Sequence, residues 1–149
     1  MGLAALDSST VIGYLDADDL LHAEATTAVE ATMKSGMGLG ISAVTWTELL
    51  HGALLGYRDE SAVREFVTDF GAKILVIDAA VAERAAGLQA SYAGQGRRSQ
   101  AQRLRTPDAL ILASADLDAD VELVICGDDR WPNIGGLRPQ VKLIRERRH

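Results

Sequence analysis

The chain is short of the features that tie a small protein together covalently or place it in a membrane. A single cysteine, Cys126, stands in 149 residues, which excludes an intramolecular disulfide and argues against a cysteine-based zinc site. Cys126 closes the apolar run Val121 to Cys126, so it is expected as a buried, reduced thiol. No run approaches the ~18 apolar residues of a membrane span. The start, Leu3-Ala-Ala-Leu6, lacks a basic segment followed by a long apolar stretch, so a cytoplasmic location is expected. Internal repeats, low-complexity tracts and linkers are also missing. With 48% apolar residues, the length suits one domain over 1–149, its core running from about residue 3 to residue 144.

Basic charge is scarce too. The net charge is −6, opposite to the basic surface of a generic nucleic-acid binder. The average conceals an asymmetry: residues 1–90 carry 5 Lys/Arg against 13 Asp/Glu, whereas residues 91–149 carry 10 against 8. The late basic charge gathers at Arg97, Arg98, Arg103 and Arg105, and again at Lys142, Arg145, Arg147 and Arg148. Either group suits phosphate binding, and either suits a solvated loop or tail.

Apolar periodicity predicts strands at Leu3–Leu6, Ile41–Val44, Lys73–Ile77, Val121–Cys126 and Val141–Ile144, separated by helices. The helices are expected over Ser9–Leu15, Asp19–Lys34, Thr45–Gly56, Glu60–Phe70, Ala79–Tyr92 and from Thr106 through Ala115. Gly36-Met-Gly-Leu-Gly40 precedes a strand instead of following one, so it reads as a turn and not as a dinucleotide fingerprint. Thr106-Pro107-Asp108 reads as a helix start with Thr106 as the N-cap. Alternation of this kind predicts an α/β fold, a five-stranded parallel sheet with helices on both faces. Ligands of such sheets bind beyond the carboxyl ends of the strands, where strand order reverses.

Four acids fall where that edge should lie. Asp7 and Asp128 follow the first and fourth strands, and Glu48 and Asp108 sit near helix starts on the same side. Each has a plainer explanation. Asp7 suits a helix cap, and Thr45-Trp-Thr-Glu48 has capping-box spacing. Asp108 suits the positive end of a helix, and Gly127-Asp-Asp-Arg suits an Asx turn. All four would have to coincide at one sheet edge for the site to vanish. Carboxylates so gathered need a cation, and hard oxygen donors favour Mg²⁺ or Mn²⁺. Asp16, Asp18 and Asp19 lack the glycine and glutamate of a calcium loop, and Asp116, Asp118 and Asp120 fall at a helix C-terminus, so these read as surface. His22, His51 and His149 have no metal-ligand spacing, although His51 lies one turn from Glu48.

Leu6-Asp7-Ser8-Ser9, Ser42-x-x-Thr45-x-x-Glu48-Leu49-x-x-Gly52, Thr106-x-Asp108-Ala-Leu-Ile-Leu-Ala-Ser-Ala115 and Cys126-Gly-Asp128 ahead of Trp131 together resemble the PIN domain, in the order and length of VapC ribonuclease toxins. The resemblance spans Leu3 to about Trp131. It implies a Mg²⁺- or Mn²⁺-dependent endoribonuclease, a VapB-type antitoxin that blocks the groove, and a toxin homodimer. By position it makes Asp7, Glu48, Asp108 and Asp128 the catalytic acids. Asp7, Asp108 and Asp128 would hold the ion and Glu48 the attacking water, with Arg97, Arg98, Arg103 and Arg105 along the RNA. The chain departs from the family at Cys126, where Thr or Ser is usual, and at Arg130, where a further Asp often stands. Asp128 or Asp129 is therefore the fourth acid. Two alternatives remain: a receiver-type phosphoacceptor domain using Asp78 after the third strand, and a catalytically inactive PIN-like interaction module.

Overall fold

The computed structural model describes residues 2–94 and 103–145. Its strands are β1 (Leu3–Leu6), β2 (Gly38–Ser42), β3 (Lys73–Leu75), β4 (Val121–Cys126) and β5 (Gln140–Leu143). The helices are α1 (Ser8–Leu15), α2 (His22–Lys34), α3 (Ala43–Leu54), α4 (Glu60–Phe70), α5 (Ala79–Gly94) and α6 (Thr106–Leu117). All strand pairs are parallel, in the order β3-β2-β1-β4-β5. The expected five-stranded parallel sheet is thus present, with helices on both faces.

The two faces follow from strand alternation. Ala4, Leu6, Leu39, Ile41 and Ile125 pack with apolar residues of α1 to α4. Ala5, Leu75, Val121, Val124 and Cys126 pack with those of α5 and α6. On the first face Tyr14 meets Phe66 and Phe70 edge-on, with centroids 5.6 and 5.7 Å away, joining α1 to α4. Such pairs add about 1 kcal/mol each to the burial of their area.

Several predicted boundaries move, each for a local reason. The glycine series is not one turn. Gly36 turns the chain at φ +84, but Gly38 and Gly40 lie in β2, where an added Cβ would meet the side chains of Leu3 and Leu75. β2 ends at Ser42, whose hydroxyl accepts from Val44 N and caps α3. Ala43 and Val44 are therefore helical and not extended. β3 stops at Leu75 because its partner stops at Ser42, which leaves Val76 without a ladder and exposed. α2 starts at His22, since Asp16 and Asp19 accept from Asp18 N and Leu21 N and hold the preceding residues in turns. At α6 the N-cap is Arg105, not Thr106, and Pro107 occupies the second helical position.

β1 and β4 lie side by side, Leu6 against Ile125. The chain leaves β1 towards β2 and β3, then crosses to β4 and β5. The reversal of strand order therefore opens a crevice just beyond Leu6 and Cys126, the usual ligand position of such a sheet. The receiver-type alternative fails on the same topology. Asp78 follows the edge strand, not a central one, and accepts from Val81 N in the first turn of α5.

Candidate active site

The crevice is a cleft of about 420 Å³, and its lining includes Asp7, Glu48, Asp108 and Asp128 together with Asp129, Arg130 and Arg145. All four predicted acids are brought there by different elements. Asp7 is the residue between β1 and α1. Glu48 comes from α3, Asp108 from the first turn of α6, and Asp128 from the turn after β4.

Asp7 is the most constrained of them. It is 5% exposed and accepts four hydrogen bonds. Thr10 N at 2.8 Å and Thr10 Oγ1 at 2.6 Å donate to Oδ1; Ser9 Oγ at 2.8 Å and Gly127 N at 3.1 Å donate to Oδ2. The helix-cap explanation is correct and does not compete with a place in the cleft. Burial still raises the carboxyl above its usual range, although the donors from Thr10, Ser9 and Gly127 pull the other way. The charged form is thus costly at neutral pH.

The capping-box explanation for Glu48 does not survive. Since α3 begins at Ala43, Glu48 lies beyond its first turn, out of reach of the cap amide. It is exposed, and Ser8 Oγ donates to its Oε1 at 2.8 Å, tying α3 to the start of α1. Arg58 steadies this stretch of helix by donating to Leu49 O at 3.0 Å. Its guanidinium lies where a Cβ on residue 52 would go, which is why Gly52 suits the position.

Asp108 has its carboxyl raised, first by burial and then by the charges of Asp128 and Glu48, against the opposing Arg130 and Arg105. Asp128 moves in the other direction. Its Oδ1 accepts from Arg130 N at 2.9 Å and Arg130 Nε at 3.0 Å, and its Oδ2 from Arg130 Nη2 at 2.6 Å. The hydrogen bonds from Arg130 hold its carboxyl below the usual range in spite of partial burial. The Asx turn is therefore real. Asp129 is exposed and pairs with Arg145 at 3.5 Å.

Cys126 is buried, and burial followed by the charge of Asp7 pushes its thiol up to about 12. As a neutral S–H it donates to Asp128 O at 3.5 Å, the service a hydroxyl would render there. Trp131 forms one wall, 2% exposed, and its Nε1 has no hydrogen-bond partner among the described residues.

Sequence reasoning missed Arg130 as an occupant of the cleft and Ser8, Ser9, Thr10 and Gly127 as the donors around the acids. The run of three hydroxyls directly after Asp7 was the available signal. Arg103 and Arg105 are exposed, and Arg105 is near enough to Asp108 to act on its charge. Arg97 and Arg98 lie outside the described residues. His51 is exposed, whereas His22 Nδ1 pairs with Gly13 O.

The donor set suits a hard divalent ion: several carboxylates from separate elements, partly buried, mutually repulsive and outnumbering the cations among the described residues of the cleft. Among the described residues, however, no three such groups are gathered closely enough to enclose an ion as they stand. Arg130 engages both oxygens of Asp128, and the four donors to Asp7 use its ~4 lone-pair sites. Rotation of the Ser9 hydroxyl would free a lone pair of Asp7 Oδ2, and departure of Arg130 would free the oxygens of Asp128.

The model of the PIN domain matches residues 4–137. The chain belongs to the PIN domain family. Among solved structures, this PIN domain is similar to a toxin–antitoxin complex from Klebsiella pneumoniae at 28% identity. That alignment covers 96% of this chain and 98% of the other, with TM-score 0.69. It is similar also to VapBC-5, a toxin–antitoxin system of the VapBC family from Mycobacterium tuberculosis, at 25% identity, covering 98% and 100%, TM-score 0.61. A third, VapC20 from Mycobacterium tuberculosis, described as a sarcin-ricin loop cleaving toxin, shares 16% identity over 89% and 95%, TM-score 0.64, and supports the fold alone. No curated protein sequence matches the chain. No helix among the described residues of this PIN domain is long and apolar enough to cross a membrane.

Proposed function

We propose that the protein is a Mg²⁺- or Mn²⁺-dependent endoribonuclease, a VapC-like toxin acting in the cytoplasm and neutralised by a small VapB-type antitoxin, with a homodimer as its working form. One observation carries the reading: four acids from four elements line one cleft at the point where strand order reverses. Membership of the PIN family and the likeness to toxin–antitoxin proteins at 25–28% identity support it.

Asp7, Asp108 and Asp128 are the residues that would hold the ion. When bound, such an ion would lower the pKa of a water it holds and offset the charge that grows on the phosphate. Glu48 is exposed at the cleft, with Ser8 fixing one of its oxygens. It takes the proton of the attacking water as the new P–O bond forms, and the leaving oxygen is protonated from solvent. Asp108 stands in the first turn of α6, so the positive end of that helix favours the anionic substrate alongside it. Arg103 and Arg105, exposed just before α6, give the acidic centre a basic rim for the RNA backbone.

The test is Mg²⁺-dependent cleavage of total RNA by the wild type beside Asp7→Ala and Asp108→Ala. Cleavage by the wild type and its loss in both variants is the expected result. Retained activity in both would remove the assignment. A second reading, a PIN-like module that only binds a partner, is favoured by one observation, the engagement of Asp128 by Arg130. An inactive wild type that still forms a tight complex with an antitoxin would select it.

A further inference from the structure

Arg130 holds the place of a cation. Its Nη2 lies 2.6 Å from Asp128 Oδ2 and 3.8 Å from Asp108 Oδ2, so one nitrogen is shared by two of the acids assigned to the ion. Its Nε and backbone N take the other oxygen of Asp128, and its Nη1 reaches Arg103 O at 3.4 Å. A bidentate guanidinium–carboxylate pair of this kind is strong and directional. It engages both oxygens of Asp128.

The pairing is also reversible by construction. Arg130 is 30% exposed at its side chain and sits two residues from Asp128, just before the 3₁₀ turn Trp131–Asn133. A side chain so placed can leave Asp128 by rotation about its own bonds. Arg145, the other cation lining the cleft among the described residues, pairs with Asp129 and acts on Asp128 at longer range, through its charge.

We propose that Arg130 is a resident counter-cation of the cleft that competes with the divalent ion for Asp108 and Asp128, so that metal binding is an exchange of guanidinium for metal. This rests on the reading of the cleft as a divalent-ion site. In the metal-free protein the guanidinium relieves repulsion among the acids. Its departure leaves them as ligands, and metal affinity is weaker than the carboxylates alone would give.

The experiment is calorimetric titration of Mn²⁺ into the wild type, Arg130→Ala, Arg130→Gln and Arg145→Ala, with the melting temperature of each measured with and without the ion. Arg130→Gln keeps most of the side-chain volume should the alanine variant fold poorly. Both Arg130 variants are expected to bind Mn²⁺ on the order of tenfold more tightly than the wild type, to melt lower without it, and to gain more from it. Arg145→Ala, which removes the same charge from the same cleft, is expected to change affinity by no more than about twofold, since exposed charge is screened. An equal gain in Arg145→Ala would reduce the effect to net charge and overturn the proposal. Unchanged or weaker binding in both Arg130 variants would overturn it while leaving the metal site standing. No Mn²⁺ binding by any of the four proteins would overturn both this inference and the functional reading beneath it.

Discussion

The two edges of the sheet carry similar residues and settle their charge differently. At the amino edge, Asp116 accepts from Arg84 Nε at 2.9 Å and from Arg138 N at 2.7 Å, and Lys73 pairs with Asp118 at 2.9 Å and Asp120 at 3.8 Å. Arg138 also donates to the carbonyls of Asp118 and Val121. Three acids there meet three cations. At the carboxyl edge five acids, Asp7, Glu48, Asp108, Asp128 and Asp129, share one cleft, and the ion pairs found there are those of Arg130 and Arg145. A count of carboxylates would not separate the edges. What separates them, among the described residues, is the balance of charge: three cations to three acids at the amino edge, two cations to five acids in the cleft.

The largest effect should come from exchanging the roles of the edges. Asp108→Asn is expected to lower Mg²⁺-dependent RNA cleavage by about 100-fold or more, because even outer partners of metal ligands cost about 10–100-fold. Asp116→Asn should cleave like the wild type. Equal losses in both would erase the distinction. Asp116→Ala, in contrast, should be the more damaging to stability. Its carboxylate is 9% exposed and holds Arg84 and the Arg138 amide, so its removal should cost about 2 kcal/mol by denaturant titration.

Gly52→Ala probes how α3 holds Glu48. A helical Gly→Ala exchange ordinarily gains about 0.5–1 kcal/mol. Here the new methyl must displace Arg58 from Leu49 O, and a net loss of about 1 kcal/mol is expected. A gain would show that Arg58 contributes little. Smaller again is the basic rim: replacing Arg103 and Arg105 by Ala should reduce the slope of log affinity for RNA against log salt by about 0.7 for each phosphate that is no longer neutralised. An unaltered slope would return both to plain surface.

The smallest expected effect is the pH response of the pair at the amino edge. Despite burial, the hydrogen bond from Lys73 holds the Asp118 carboxyl below its ordinary 3.8. The folded form binds the proton less readily than the unfolded one. Its contribution is therefore complete above 3.8 and lost as pH falls through the lowered value. The hydrogen bond to Asp118 raises Lys73 above 10.5, so that contribution is complete below 10.5 and lost as pH rises through the raised value. Lys73→Ala should flatten melting temperature against pH in the acid window, while Arg64→Ala, at an exposed i,i+4 pair, should not.

Much of this arrangement was legible in the residues. The apolar runs at Leu3–Leu6 and Val121–Cys126 and the helices between the strands led to the sheet, and the positions after β1 and β4 led to Asp7 and Asp128. The boundaries that moved were set by partners distant in sequence. Gly38 and Gly40 are extended because they pair with β1 and β3, Gly38 against Leu3 and Gly40 against Lys73. Val76 falls out of β3 because β2 has already turned into a helix. Ser42 outcompetes Thr45 as the cap of α3, and that shift of one helix start removed the plainer explanation of Glu48. Arg130 was visible as an unusual residue, but its grip on Asp128 depends on a side-chain rotamer that no spacing encodes.

The most direct measurement is calorimetric titration of Mn²⁺ against the wild type, Asp108→Asn and Asp116→Asn. The account predicts saturable binding by the wild type, its loss in Asp108→Asn and its preservation in Asp116→Asn. Binding that survives in Asp108→Asn, or that disappears with Asp116, would contradict the claim that the carboxyl edge keeps its negative charge for a divalent ion.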